Sequence, residues 1–284
     1  MIQRKPVVAG KFYPGRKDQL ETEVRAWLDE ASCGLNEPAD SVWGVMLPHA
    51  GHIYCGRIIG QTLAGITLPG RLIILCPNHT GYGKPLGVWP EGEWLTPLGS
   101  VSVDQRLAAE LIGADCGYQA DVASHLGEHS IEVLLPFLQA RSPAPTIVPV
   151  AVGTRNAALL ERAGLGLAQT LRNNSDAGVI ISSDMNHYES HATTIAKDEL
   201  ALARALAGDA AGLLEVTEKH NISMCGAAAL AIALFAAKDL GYAGCSLTGH
   251  DTSGPVSGDM GHTVGYAGLH LLKKTHVGQV LQKN

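Results

Sequence analysis

The 284-residue sequence is 46% hydrophobic and 17% charged, with 33 glycines, a composition that excludes a disordered chain and allows a sizeable core. A net charge of -6, with no run of Lys and Arg, excludes nucleic acid as the main partner. The longest apolar run, Ala227 to Ala237, is too short to cross a bilayer, and no apolar stretch follows Arg4 and Lys5; no membrane span and no secretory leader are expected, and a cytoplasmic protein is.

In chain order, helical periodicity predicts a helix over Lys17–Ala31, and a short β-branched run predicts a strand over Val42–Leu47. A helix over Gly56–Leu63 and a strand over Arg71–Cys76 follow, then a polar stretch, Tyr82–Gly99, read as an excursion over the sheet. Helices are predicted over Asp104–Ile112 and Ser130–Leu138, with Asp104 and Ser130 as N-caps. A strand over Thr146–Val152, a helix over Ala157–Leu171, a strand over Gly178–Ser182, helices over Ala192–Ala207 and Gly226–Leu240, and a strand over Thr263–Leu269 complete the series. Strands alternating with helices predict an α/β fold around a largely parallel sheet. With no repeat and no long linker, residues 1–284 are expected to form one domain.

The unusual residues gather at particular places in that pattern. Pro48-His49-Ala-Gly-His52 follows the Val42–Leu47 strand, Pro77-Asn-His79 follows Arg71–Cys76, and Ser183-Asp184-Met-Asn-His187 follows Gly178–Ser182. In parallel α/β sheets ligands bind beyond the carboxyl ends of the strands, so three histidine-bearing loops there predict a metal or acid–base site. Any one of these histidines alone reads as a structural residue. Asp184 and His187 lie three apart and would point the same way on a helical turn, the carboxylate supporting the imidazole. The six cysteines show no C-x-x-C pair and read as free thiols, mostly buried. His125, four residues before His129, could share a helical face with it, but Gly127 between them favours a loop, and His191, His220, His250, His262, His270 and His276 read as surface or locally hydrogen-bonded.

Several segments together resemble the Memo-like family, also called AmmeMemoRadiSam system protein B. They are Ala9-Gly-Lys-Phe-Tyr-Pro14, Pro48-His-Ala-Gly-His-Ile-Tyr-Cys-Gly56, Pro77-Asn-His79, Glu128-His-Ser-Ile-Glu132, Ser182-Ser-Asp-Met-Asn-His187, Cys225-Gly226 and Val264-Gly-Tyr266. That family is similar in fold to the class III extradiol dioxygenases, the LigB-like non-haem iron enzymes, which implies a three-layer α/β/α sandwich with a largely parallel or mixed sheet. The resemblance implies His49, His79 and Cys225 as metal ligands, with the cysteine standing where the dioxygenases have a glutamate. It implies His187 as an acid/base group supported by Asp184, and His129 near the substrate. Tyr54, one turn past His49, and Glu132, which closes the Glu-His-Ser-Ile-Glu motif, are expected at the substrate pocket. Iron(II) is the expected cofactor; a thiolate donor shifts preference toward copper or zinc. The expected function is redox chemistry on an unidentified small molecule or peptide, with AMMECR1-like and radical SAM proteins as partners. The alternatives are a non-catalytic metal- or peptide-binding adaptor and a metal-assisted hydrolase.

Overall fold

The computed structural model describes residues 2–31, 42–142 and 144–273. Cys33 and His276 lie outside these. The elements are β1 (Gln3–Arg4), α1 (Lys17–Ala31), β2 (Val42–Leu47), α2 (His52–Leu63), β3 (Arg71–Pro77), β4 (Leu86–Val88), β5 (Glu93–Thr96), β6 (Gly99–Val103), α3 (Gln105–Gly113), β7 (Gln119–Ala120) and α4 (Leu135–Arg141). They continue with β8 (Thr146–Val152), α5 (Ala157–Asn173), β9 (Ala177–Ser182), β10 (His187–Glu189), α6 (His191–Leu206), α7 (Ala210–Lys219), α8 (Ala227–Leu240), β11 (Cys245–Thr252), α9 (Gly254–Ser257) and β12 (Thr263–Leu272).

Among the described residues the strands form one sheet, ordered β1-β5-β6-β8-β3-β9-β2-β12-β10, with β11 on β12 and β4 on β8. The run β6-β8-β3-β9-β2 is parallel, whereas β12 and β11 pair antiparallel at one side. Side chains alternate across the parallel strands and build a core on each face. Met46, Ile73, Leu75, Val150 and Ile181 point to the layer of α3, α5, α6, α7 and α8. Val45, Leu47, Ile74, Cys76 and Ile180 point to the layer of α1, α2 and α4. The architecture is thus a three-layer α/β/α sandwich with a mixed sheet, as expected.

The Ala227–Ala237 run is buried in α8 except for half-buried Phe235, and Gly164 lets α5 approach it closely. A Cβ built on Gly164 would stand 2.5 Å from Phe235 Cβ and 2.9 Å from Ile232 O. Among the described residues no helix is long and apolar enough to cross a membrane.

Three expectations need correction. Tyr82–Gly99 does not run over the sheet; β4 and β5 within it extend the sheet, and Trp89 and Trp94 are fully buried. Ser130 caps no helix: a 3-10 turn opens at Glu132, and the Ser130 hydroxyl donates to Glu128 instead. Asp184 and His187 do not share a helical turn, because His187 begins β10.

Asp104 is an N-cap, accepting from Leu107 N at 2.9 Å, and it also receives Arg71 Nε at 2.6 Å. Partial burial alone would raise its carboxyl, but the guanidinium and the helix N–H outweigh that and hold it below the usual carboxylate range. Asp104→Ala is expected to cost about 1–2 kcal/mol at neutral pH. Because the folded-state pKa is depressed, this contribution is present above the unfolded carboxylate pKa of about 3.9 and is lost as pH falls through the folded value. Urea unfolding of the two proteins at pH 7 and near pH 3 should therefore show the gap closing on acidification.

Candidate metal centre

β9 lies between β2 and β3, so the loops leaving these three strands are neighbours at one end of the sheet. Leu47 pairs with Ser182, and Leu75 with Ile181, which sets the three strand ends nearly level. His49, His79 and Asp184 follow directly, and Pro48 and Pro77 hold the exits of β2 and β3 in extended backbone.

His49 is 2% exposed. Its Nδ1 lies 2.7 Å from Ser182 Oγ, and that hydroxyl already donates to Ser130 O at 2.7 Å. Serine has a single proton to give, so His49 Nδ1–H must be the donor and Nε2 carries the lone pair. Burial and the neighbouring histidines hold His49 well below its ordinary pKa, so the ring is neutral. Its backbone N–H donates to Asp184 Oδ1 at 2.7 Å.

His79 is fixed by Glu128. The carboxylate accepts from His79 N at 2.6 Å and from Nδ1 at 3.0 Å, leaving Nε2 as the other donor atom. Burial alone would lower the His79 pKa, but the hydrogen bond and charge of Glu128 raise it. Burial pushes Glu128 up while His79 and Ser130 pull harder, bringing it to about 2. A carboxylate on one ring nitrogen of a histidine orients the other and strengthens it as a ligand.

His129 completes the cluster. Donor atoms of His49, His79 and His129 all lie within 4.8 Å of one another. The His129 ring stacks on His79 with centroids 5.2 Å apart and meets Phe12 edge-on at 5.0 Å.

Cys225 enters from the other layer, one residue before the Gly226 N-cap of α8. A Cβ on Gly226 would stand 2.6 Å from Ser182 O, so only glycine lets this turn sit against the end of β9. Cys225 Sγ comes 3.4 Å from His49 Nε2 and accepts from Asp184 N at 3.2 Å. Burial, with the Asp184 charge, pushes the thiol above its ordinary value; a bound cation would reverse that. Three imidazoles meet at one point, and the Cys225 thiol stands beside one of them, His49, a set of donors whose chemistry suits a soft or borderline transition metal.

These groups form one wall of a cavity of about 960 Å³. Its remaining lining includes Phe12, Ile53, Tyr54, Tyr188, Val264 and Tyr266, with His187 beside the histidine cluster. His187 N donates to Ser223 Oγ at 2.8 Å, while its Nδ1 is buried and has no hydrogen-bond partner.

The profile of the Memo-like protein family matches residues 4–270. The chain belongs to the Memo-like family. A MEMO1 family protein of Thermotoga neapolitana is 39% identical over 273 residues, covering 93% of this chain and 97% of its own. One of Pyrobaculum arsenaticum is 37% identical, covering 95% of this chain and 99% of its own, and one of Caldivirga maquilingensis is 34% identical, covering 96% and 100%.

In this Memo-like chain the expected site residues separate into two groups. His49, His79, His129, Cys225, Asp184, His187 and Tyr54 all line the cavity. Asp184, however, turns its carboxylate to the His49 backbone rather than to His187. Glu132 is not in the cavity. It is 0% exposed and accepts from Arg4 Nη1, the Val7 and Val8 N–H groups and Tyr13 Oη, tying the N-terminal segment to the body of the protein. His52 is likewise structural, held between Glu23 Oε1 and Val133 O.

Sequence reasoning missed Glu128, Ser182 and Asp198. Glu128 stands directly before His129, an acid beside a histidine that carried the only available signal. Asp198 accepts from Asn186 N and His250 Nε2, both at 2.9 Å, and so steadies the loop that bears Asp184 and His187.

Proposed function

We propose that this protein is a metal-dependent oxidoreductase that holds one iron(II) ion, with copper or zinc as competing ions, through His49, His79 and Cys225. Its substrate is a small molecule or peptide bound in the adjoining cavity. The observation that carries this reading is the convergence of free imidazole nitrogens and a thiol on one wall of that cavity, with each histidine's other nitrogen already engaged. A bound iron would supply Lewis acidity and one-electron redox capacity.

The chain's own residues supply the rest. Ser182 and Glu128 set the ring orientations of His49 and His79. Asp184 holds the backbone at His49. The His187 ring lines the cavity, where it gives or takes a proton, and His129 contacts the substrate beside the metal. A class III dioxygenase-like origin, a cytoplasmic location and a pathway shared with AMMECR1-like and radical SAM proteins belong to the same proposal and rest on the resemblance.

Cobalt(II) substitution tests the ligand set. Metal-free protein titrated with cobalt(II) should develop a thiolate-to-cobalt charge-transfer band in the near ultraviolet. The band should vanish in Cys225→Ala and persist in His129→Ala and His187→Ala. An unchanged band in Cys225→Ala, or its loss in His129→Ala alone, overturns the assignment.

A further inference from the structure

Tyr188 stands out from its surroundings in three independent ways. It is the extra residue of a β-bulge: His187 pairs with Val264 and Glu189 with the adjacent Thr263, so Tyr188 has no partner on β12. Its φ is +62°, in the left-handed region where a bulky aromatic residue is strained. It is also 76% exposed, yet it lines the cavity together with Ile53, itself 59% exposed.

The residues on either side are firmly tied. His187 N donates to Ser223 Oγ at 2.8 Å. The Glu189 carboxylate accepts from Asn186 Nδ2 at 2.5 Å and Lys197 Nζ at 2.8 Å, and its carbonyl accepts from Thr263 Oγ1 at 3.1 Å. These bonds account for the bulge, but none of them calls for an aromatic side chain at its crest. Glycine or asparagine would adopt the same backbone with less strain. The ring leans on His187 with centroids 5.6 Å apart and otherwise faces the cavity rim and solvent. An aromatic group kept in a strained conformation at the rim of a cavity is accounted for by a ligand that it touches.

We propose that Tyr188 is a specificity-determining residue whose ring, with Ile53 and Phe12, grips the apolar end of an amphipathic substrate while the substrate's polar end reaches the histidines. This rests on the reading of the cavity as the substrate site. A volume of about 960 Å³ suits an organic molecule of some size rather than a diatomic or a simple ion alone. The histidine wall demands a polar end, and the rim of Phe12, Ile53 and Tyr188 demands an apolar one.

The probe is the amphipathic dye anilinonaphthalene sulfonate, titrated by fluorescence into metal-free and metal-loaded protein. Tyr188→Ala and Tyr188→Gly should weaken the dye about tenfold, the worth of one good aromatic contact, and Tyr188→Phe should keep the wild-type affinity. Tyr188→Gly should melt at or above the wild-type temperature, since glycine relieves the backbone strain. Wild-type dye affinity in the Ala and Gly variants overturns the proposal. So does a Tyr188→Gly protein that melts well below Tyr188→Phe, because the ring would then be holding the fold. All Tyr188 variants should keep their metal. Failure of the metal reading would show in the histidine and Cys225 variants and leave the dye result standing.

Discussion

The His49→Ala, His79→Ala double variant should carry only background metal, where wild-type protein purified without oxygen carries about one ion per chain. The two rings are the best-prepared donors in the molecule. His49 is neutral, with Nδ1–H committed to Ser182, and His79 has Nδ1 committed to Glu128, so each presents Nε2 at no further cost in orientation. Removing both leaves Cys225 and His129, which cannot chelate an ion strongly by themselves. Glu128→Gln provides a graded control. It should keep the stoichiometry at saturating metal but lower affinity by about 10–100-fold, the usual effect of loosening a histidine's support. Elemental analysis and competition with a chelator read both effects. Stoichiometric metal in the double variant would place the ion elsewhere and end the proposal.

Arg4→Met should be the most destabilising single change considered, costing about 3–5 kcal/mol. Arg4 is 1% exposed and reaches four acceptors: Glu132 Oε2 at 2.7 Å, His125 O at 3.0 Å, Lys5 O at 3.3 Å and Glu128 O. Its guanidinium lies 4.3 Å above the Trp94 ring. Without it the buried Glu132 carboxylate keeps Tyr13 Oη and two backbone N–H groups but loses its counter-charge. The melting temperature should fall by on the order of 10 °C. The Arg4→Met, Glu132→Gln double variant should recover part of the loss, because the charge left unpaired is then removed as well. A double variant as unstable as the sum of the two single changes would show that the pair is not what holds this corner.

The centre of the fold was legible because its signals were strong and local. Parallel strands buried on both faces read as unbroken Val, Ile and Leu runs, and β2 and β8 have the predicted limits. The histidine-bearing loops were found for the same reason, since each stands directly behind such a run. β11 was missed because Cys-Ser-Leu-Thr-Gly-His-Asp-Thr has no β-branched aliphatic residue; among the described residues its one strand partner is β12. α7 was missed because Gly212 interrupts its first turn, which Asp209 nevertheless caps through Gly212 N. The anchoring of the N-terminal segment depends on Arg4 and Glu132, 128 residues apart, and no local pattern joins them. Cys225 was visible only through the family resemblance. Its neighbours in sequence are ordinary helix-opening residues, and its position against His49 is created by the packing of α8 on the sheet.

The two cores on opposite faces of the sheet give the proposed centre a mechanical meaning. Cys225 stands at the entry to α8, on the face of the sheet shared with α5, while His129, beside the site, belongs to the segment leading into α4 on the opposite face. His49 and His79 leave the sheet itself. An ion held by His49, His79 and Cys225 would tie the sheet to the α8 layer by coordinate bonds, in addition to the packing and hydrogen bonds that already join them, and would couple their unfolding. Metal-free protein is then expected to exchange its amide hydrogens layer by layer, and loaded protein to exchange them together.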